Sequence, residues 1–213
     1  MIVTTQKPLE EILGYISPYT NILIVGCDGC TQPPRGLREA ETLSQVLELG
    51  GKLRNKNFVF KATTEAKQCD SYLTASGLKP KMDGVEAVLS LACGVGVQTI
   101  AELFPEIPVF PAQNTHFMGA EEREEGILEE RCAGCGDCIL AETGGVCPVA
   151  RCAKGLLNGP CGGSENGKCE VDPERDCAWA LIIEQLKKQG KLHLLEEIRP
   201  PKDYQVKGWK VTP

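Results

Sequence analysis

The chain has 213 residues, a formal net charge of −6 and only 5% aromatic side chains. That length can bury a core for one large or two small domains. The negative balance excludes a phosphate-binding nucleic-acid surface, and the scarcity of rings excludes stacking platforms for single strands.

Residues 1–10 lack the basic stretch and apolar stretch of an export signal. No apolar run reaches the roughly 18 residues that a membrane span needs. The expectation is a cytoplasmic chain without membrane insertion. Residues 8–16 read as a short amphipathic helix. Residues 21–26 (NILIVG) form a short apolar run ending in glycine, the pattern of a buried strand. After Gln32-Pro33-Pro34, residues 37–53 read as a helix with Ala40, Leu43 and Leu47 on its apolar stripe and Gly50-Gly51 near its end. Strands are expected at 57–62, 85–92 and 107–110, with a helix at 97–104. Alternating strands and helices point to a small parallel α/β domain over residues 1–118.

Residues 119–130 (GAEEREEGILEE) are acidic and read as a linker or a solvated helix. From Cys132 to Cys177 apolar periodicity nearly vanishes, and Gly, Cys, Pro and Asn dominate. Such a segment buries too little side-chain area to offset its chain entropy and needs staples. Metal–thiolate bonds would supply them, giving an irregular Cys-rich, metal-stapled domain over 119–198. Residues 178–189 carry Trp179, Ile182, Ile183 and Leu186 at helical spacing. Gly190 ends that helix, residues 192–198 suggest another turn or two, and 199–213 read as an extended tail. Trp209, in that tail, is the type of residue that docks on a surface.

Twelve cysteines are the outlying feature. Without an export signal, reduced thiols that bind metal outweigh disulfides. The first group is Cys27, Cys30, Cys69 and Cys93. Cys27-x-x-Cys30 follows the first long strand, Cys69 the second and Cys93 the third. Parallel sheets gather ligands at the carboxyl ends of their strands, so two strand ends bring Cys27, Cys30 and Cys93 to one place, with Cys69 the candidate fourth. The backbone N–H groups of Gly94 and Gly96 would face an anionic cluster there. A thioredoxin-like CxxC with two unrelated cysteines, or a phosphate loop at Gly94–Gly96, is the alternative. A lone position such as Cys69 also fits a small buried apolar side chain.

The second group is Cys132, Cys135, Cys138, Cys147, Cys152, Cys161, Cys169 and Cys177. C-x-x-C-x-x-C at 132–138 wraps three thiolates around one face of a cubane, and Cys147-Pro148 repeats a Cys-Pro ending seen in bacterial ferredoxin runs. The spacing departs from a ferredoxin, because the Pro-linked cysteine stands nine residues after Cys138. Eight thiols serve two four-thiolate sites. The preferred split keeps Cys132, Cys135 and Cys138 together with one later cysteine. Zinc also takes four thiolates, and ligand type alone does not separate it from a cluster. His116 reads as a satisfied polar loop residue and His193 as a surface residue. No catalytic triad or nucleotide fingerprint is present.

The text CPVARCAKGLLNGPCGGSENGKCEVDPERDCAW from Cys147 resembles the C-terminal module of the MetV-type small subunit of bacterial methylenetetrahydrofolate reductase. ACGVGVQT (92–99), NTHFMG and CAGCGDC look like the same family. The resemblance runs from about residue 20 to residue 198. It implies an iron–sulfur electron-transfer subunit paired with a flavin-bearing TIM-barrel catalytic subunit, with flavin and folate bound only by that partner and further electron-transfer subunits in the complex. It also implies that the twelve cysteines ligate iron–sulfur clusters, with zinc as the alternative at one site; the count of thiols suits two [4Fe–4S] clusters and sets a ceiling of three sites. A zinc-stapled docking subunit and a cluster-carrying subunit of another redox complex are the competing readings.

Overall fold

The computed structural model describes residues 1–122 and 126–208. The chain divides into two compact units, residues 1–117 and 118–213. The first contains β1 (Ile2–Gln6), α1 (Leu9–Ile16), β2 (Asn21–Cys27), β3 (Thr31–Gln32), α2 (Leu37–Lys52), β4 (Val59–Glu65), α3 (Ser71–Leu78), β5 (Ala87–Ser90), α4 (Gly94–Leu103) and β6 (Val109–Pro111). Its main sheet is parallel, in the order β4-β2-β5-β6. Ile24 at its centre lies opposite Ala62 of β4 and Leu89 of β5.

The apolar run of β2 is continuous because both faces of the sheet are covered. Successive strand side chains point to opposite sides. Ile22 and Ile24 therefore join Ile12, Ile16, Ala40, Leu43 and Leu47 of α1 and α2 on one face. Leu23 and Val25 join Leu78 and Ile100 of α3 and α4 on the other. This is the expected parallel α/β domain. Several bounds shift by two or three residues: the second long strand is Val59–Glu65, the third is confined to Ala87–Ser90, the fourth is Val109–Pro111, and α4 starts at Gly94. β1, β3 and α3 were not visible in the hydrophobic pattern. β1 pairs in parallel with the two-residue β3, with Ile2 opposite Thr31. α3 is announced by the Asp70 side chain, which accepts the Leu73 N–H at 3.2 Å as an N-cap.

A further strand, β7 (Gln113–Glu122), begins in the first unit, and β8 (Ile127–Cys132) follows it. The expected linker or solvated helix over 119–130 is incorrect. Gly119, Ala120 and Glu121 pair antiparallel with Glu130, Glu129 and Leu128. A glutamate-rich strand is tolerated because its carboxylates find cations: Arg131 reaches Glu129 at 2.6 Å and Arg151 reaches it at 3.3 Å.

The second unit then carries a one-turn helix α5 (Pro148–Arg151) and α6 (Ala178–Lys188). Its core is small, with Val146, Cys177, Trp179, Ile182 and Leu186 buried together. Trp179 donates its ring N–H to the Leu156 carbonyl at 3.0 Å, which ties the Cys-rich loops to α6. A 3₁₀ turn at Leu192–Glu196 meets the expectation of a further turn, and a second one at Tyr204–Lys207 interrupts the tail expected to be extended. Trp209 lies outside the described residues. Among the described residues no helix is long and apolar enough to cross a membrane.

Candidate metal centres

All twelve cysteines, every one among the described residues, are free thiols. Cys27 closes β2, Cys30 stands in the loop after it, Cys69 precedes α3, and Cys93 is the residue from which α4 starts. The carboxyl ends of three adjacent strands, β4, β2 and β5, thus deliver four thiols to one side of the sheet. All four line a single cavity of ≈ 270 Å³, together with Gly29, Thr31, Ala66, Lys67, Ala92 and Gly96. Cys27 and Cys93 form its buried side, whereas Cys30 and Cys69 are exposed.

Burial pushes the Cys27 thiol above its usual pKa; backbone N–H groups of Gln68 and Gly29 oppose the shift, and nearby Cys93 and Cys69 add to it. The start of α4 lies at the same cavity, where Val95 and Gly96 have N–H groups without intrahelical acceptors, as at any helix start. Gly94 does not act as expected, because its N–H donates to Thr115 Oγ1 at 2.9 Å. Thr31 is only 4% exposed, and among the described residues its Oγ1 finds no hydrogen-bond partner.

The floor of this site rests on a residue that sequence reasoning missed. Gln68 is fully buried, and its amide donates to the Val25 and Gly26 carbonyls at 3.0 and 2.7 Å. Its Oε1 accepts the Ser90 hydroxyl at 2.7 Å, and the same hydroxyl oxygen accepts the Ala92 N–H at 3.2 Å. Gln68 so ties the ends of β2 and β5, the strands leading to Cys27 and Cys93, and is itself adjacent to Cys69. Gly96 is required by close approach, since a Cβ there would stand 2.7 Å from Ala92 Cβ and 2.8 Å from Gln68 Cβ.

In the second unit the eight cysteines fall into two sets. Cys152, Cys161, Cys169 and Cys177 line one cavity with Arg151, Lys154, Glu170 and Trp179. It is narrow, ≈ 20 Å³, about the room of one water-sized body. Cys132, Cys135, Cys138 and Cys147 lie outside it. Cys132 ends β8, and Cys147 precedes α5. In the C-x-x-C-x-x-C run Gly134 and Gly136 have φ of 59° and 83°, left-handed turns that glycine adopts without strain. The first turn aims the Gly134 N–H at Cys132 Sγ, 3.4 Å away. Cys135 Sγ lies 3.6 Å from the Asp137 carbonyl. Burial works to lower the pKa of the Lys202 ammonium beside this run, but bonds to Asp137 and Cys135 outweigh it and hold the pKa above the usual lysine value.

Among the described residues no group of three or more His, Cys, Asp or Glu side chains is arranged to hold a metal ion. His116 is on a strand and not in a loop, with its Nε2 satisfied by Thr5 Oγ1 at 2.8 Å. His193 is exposed, as expected.

Residues 110–205 match the family model described as methylene-tetrahydrofolate reductase C terminal. The segment is similar to that family, as its Cys-rich text led us to expect. The match covers β7, β8 and both C-terminal cysteine sets and leaves the N-terminal four-thiol cavity outside. No curated protein and no solved structure matches the chain.

Proposed function

We propose that this chain is an iron–sulfur electron-transfer subunit of a methylenetetrahydrofolate reductase complex. The observation that carries the reading is the cavity of ≈ 270 Å³ lined by Cys27, Cys30, Cys69 and Cys93. Four thiols around an otherwise largely apolar hollow make a poor hydrolytic or nucleotide site and a suitable donor set for a cluster. In a second set, Cys132, Cys135 and Cys138 have the C-x-x-C-x-x-C spacing of a cubane-binding run, and Cys147, further along the chain than in a ferredoxin, would complete it.

When bound, a [4Fe–4S] cluster supplies one-electron transfer at a potential set by its surroundings. The rest is done by this chain. The thiolates anchor the group, and Gly29 and Gln68 direct N–H groups at the Cys27 sulfur. The Gln68–Ser90 bridge fixes the spacing of the strand ends. The β-sheet behind Cys27 and Cys93 excludes water from one side, while Cys30 and Cys69 leave the other side open to a redox partner. Clusters move electrons singly, whereas reduction of a methylene group needs a hydride equivalent, which a flavin provides. The flavin and folate sites are therefore assigned to a partner catalytic subunit of TIM-barrel type.

A different occupant is favoured at Cys152, Cys161, Cys169 and Cys177, where the hollow has room only for a single ion. There the reading is structural zinc, with the thiols turning inward on binding.

Anaerobic purification tests the whole. Iron and acid-labile sulfide in stoichiometric amounts, visible absorbance that bleaches on reduction, and co-purification with a flavoprotein are expected. A colourless protein holding zinc alone would overturn the electron-transfer role.

A further inference from the structure

Residues Arg199–Lys202, between the 3₁₀ turns at Leu192–Glu196 and Tyr204–Lys207, behave as a strap. Asn158, from the Asn-Gly-Pro-Cys loop, clasps the backbone of Arg199 on both sides: its Nδ2 donates to the Arg199 carbonyl at 3.0 Å and its Oδ1 accepts the Arg199 N–H at 2.7 Å. The Arg199 guanidinium also reaches Glu142 at 3.5 Å. Pro200-Pro201 then restricts the backbone to extended conformations. Three residues of extended chain span at most about 10 Å. Lys202 is thereby delivered to the C-x-x-C-x-x-C run. Its ammonium donates to the Asp137 carbonyl at 2.6 Å and to Asp137 Oδ2 at 3.2 Å. The carbonyl it grips is the one 3.6 Å from Cys135 Sγ.

The lysine side chain is only 4% exposed, whereas the Asp137 carboxylate is 59% exposed. Burying an ammonium is costly unless a negative charge offsets it. A solvated carboxylate offsets it weakly. The other group at this place is Cys135, which shares the Asp137 carbonyl with the ammonium, and a cluster bound through Cys132, Cys135 and Cys138 would bring the missing negative charge there. We propose that Lys202 is a built-in positive charge of the Cys132–Cys138 site and raises the reduction potential of the cluster held there. The inference rests on the reading of these thiols as cluster ligands. Its logic is electrostatic: reduction adds one electron to an already anionic group, and a nearby ammonium in a partly dry setting favours the more negative state.

The test is an EPR-monitored redox titration of the full chain, prepared anaerobically, as wild type and as K202Q, K202R and D137N. In K202Q one signal moves to more negative potential by on the order of a tenfold change in the reduction equilibrium, 59 mV for one electron, while the others stay in place. K202R restores it. D137N, which leaves the ammonium uncompensated, moves the same signal the opposite way. A role in holding the loop alone would lower cluster content in K202Q and leave the midpoint of the cluster that remains unmoved. Wild-type iron content with unshifted midpoints in K202Q overturns the proposal and leaves the cluster reading intact. Wild-type protein without iron overturns both. Should K202Q lose its iron, K202M, uncharged and of similar length, decides: a negative shift supports the assignment and an unmoved midpoint refutes it.

Discussion

Replacing Gln68 by leucine keeps the volume and removes three hydrogen bonds at the floor of the N-terminal cavity. The Val25 carbonyl retains the Leu91 N–H at 2.9 Å, and the Ser90 oxygen retains the Ala92 N–H at 3.2 Å, so neither is stranded outright. The Gly26 carbonyl loses its 2.7 Å partner, and the Ser90 hydroxyl hydrogen loses its acceptor. A net hydrogen bond is worth about 1 kcal/mol, and a buried group left unpaired costs about 1–3 kcal/mol. For Q68L the expected destabilisation is therefore about 2–4 kcal/mol. Q68E should cost more at neutral pH, because a carboxylate would face the Val25 and Gly26 carbonyl oxygens. Urea unfolding of the apo chain under reducing conditions, followed by far-UV circular dichroism, reads the change as a shift in midpoint at constant slope. Fluorescence would follow the other unit, where Trp179 is buried. A Q68L protein within about 0.5 kcal/mol of wild type, the range of ordinary surface substitutions, would refute the claim that this amide holds the strand ends.

G96A tests packing at the same site. Alanine gains about 1 kcal/mol of helix propensity over glycine, but its Cβ would press on Ala92 and Gln68 at 2.7 and 2.8 Å, and overpacking costs about 1–3 kcal/mol. Net destabilisation and weaker cluster retention are expected; thermal unfolding at or above the wild-type midpoint would show that the helix can shift. Glu86 accepts the Thr20 and Asn21 N–H groups at 2.5 and 2.9 Å, which holds its carboxyl below the usual glutamate range. A folded-state pKa below the unfolded one stabilises above the unfolded value, near 4.5, and that contribution disappears as pH falls through the lower folded value. E86Q should therefore flatten the acid limb of the stability curve in that window and leave its alkaline limb alone. C135S should lower iron content by one cluster while the N-terminal site remains loaded, and an unchanged iron-to-protein ratio would show that the C-x-x-C-x-x-C run is not a ligand set.

The parallel sheet was legible because β2 and β5 are buried on both faces and so read as unbroken apolar runs. β1 was not, since Ile-Val-Thr-Thr-Gln buries only Val3 and Thr4 and carries two threonines. The hairpin of β7 and β8 was hidden by its glutamates, whose composition suits a solvated helix as well as an edge strand. It is resolved only by partners distant in sequence, such as Arg151. At the site, the cysteines announced themselves by chemistry and spacing. Gln68 did not: a glutamine beside a cysteine carries no local signal, and its importance comes from carbonyls more than 40 residues away. Lys202 was hidden for the same reason, its partner Asp137 lying 65 residues earlier.

The two units differ in what must come first, the fold or the ligand. Around Cys27 and Cys93 the thiols stand at the ends of strands whose positions are fixed by two apolar clusters and by the Gln68 bridge, so the fold itself brings them to one cavity. Around Cys132–Cys177 the thiols stand in glycine-rich loops, and the apolar cluster beneath them is limited to a few residues of α6 and its neighbours. Ligation energy there is folding energy. In the N-terminal cavity the sheet therefore dictates where the thiols stand, with Cys30 and Cys69 exposed; a group bound there would inherit that geometry. In the second unit the chain has to add its own constraints, and the Asn158 clasp, the paired prolines and Lys202 are constraints of that kind. They act on the run whose charge most needs balancing.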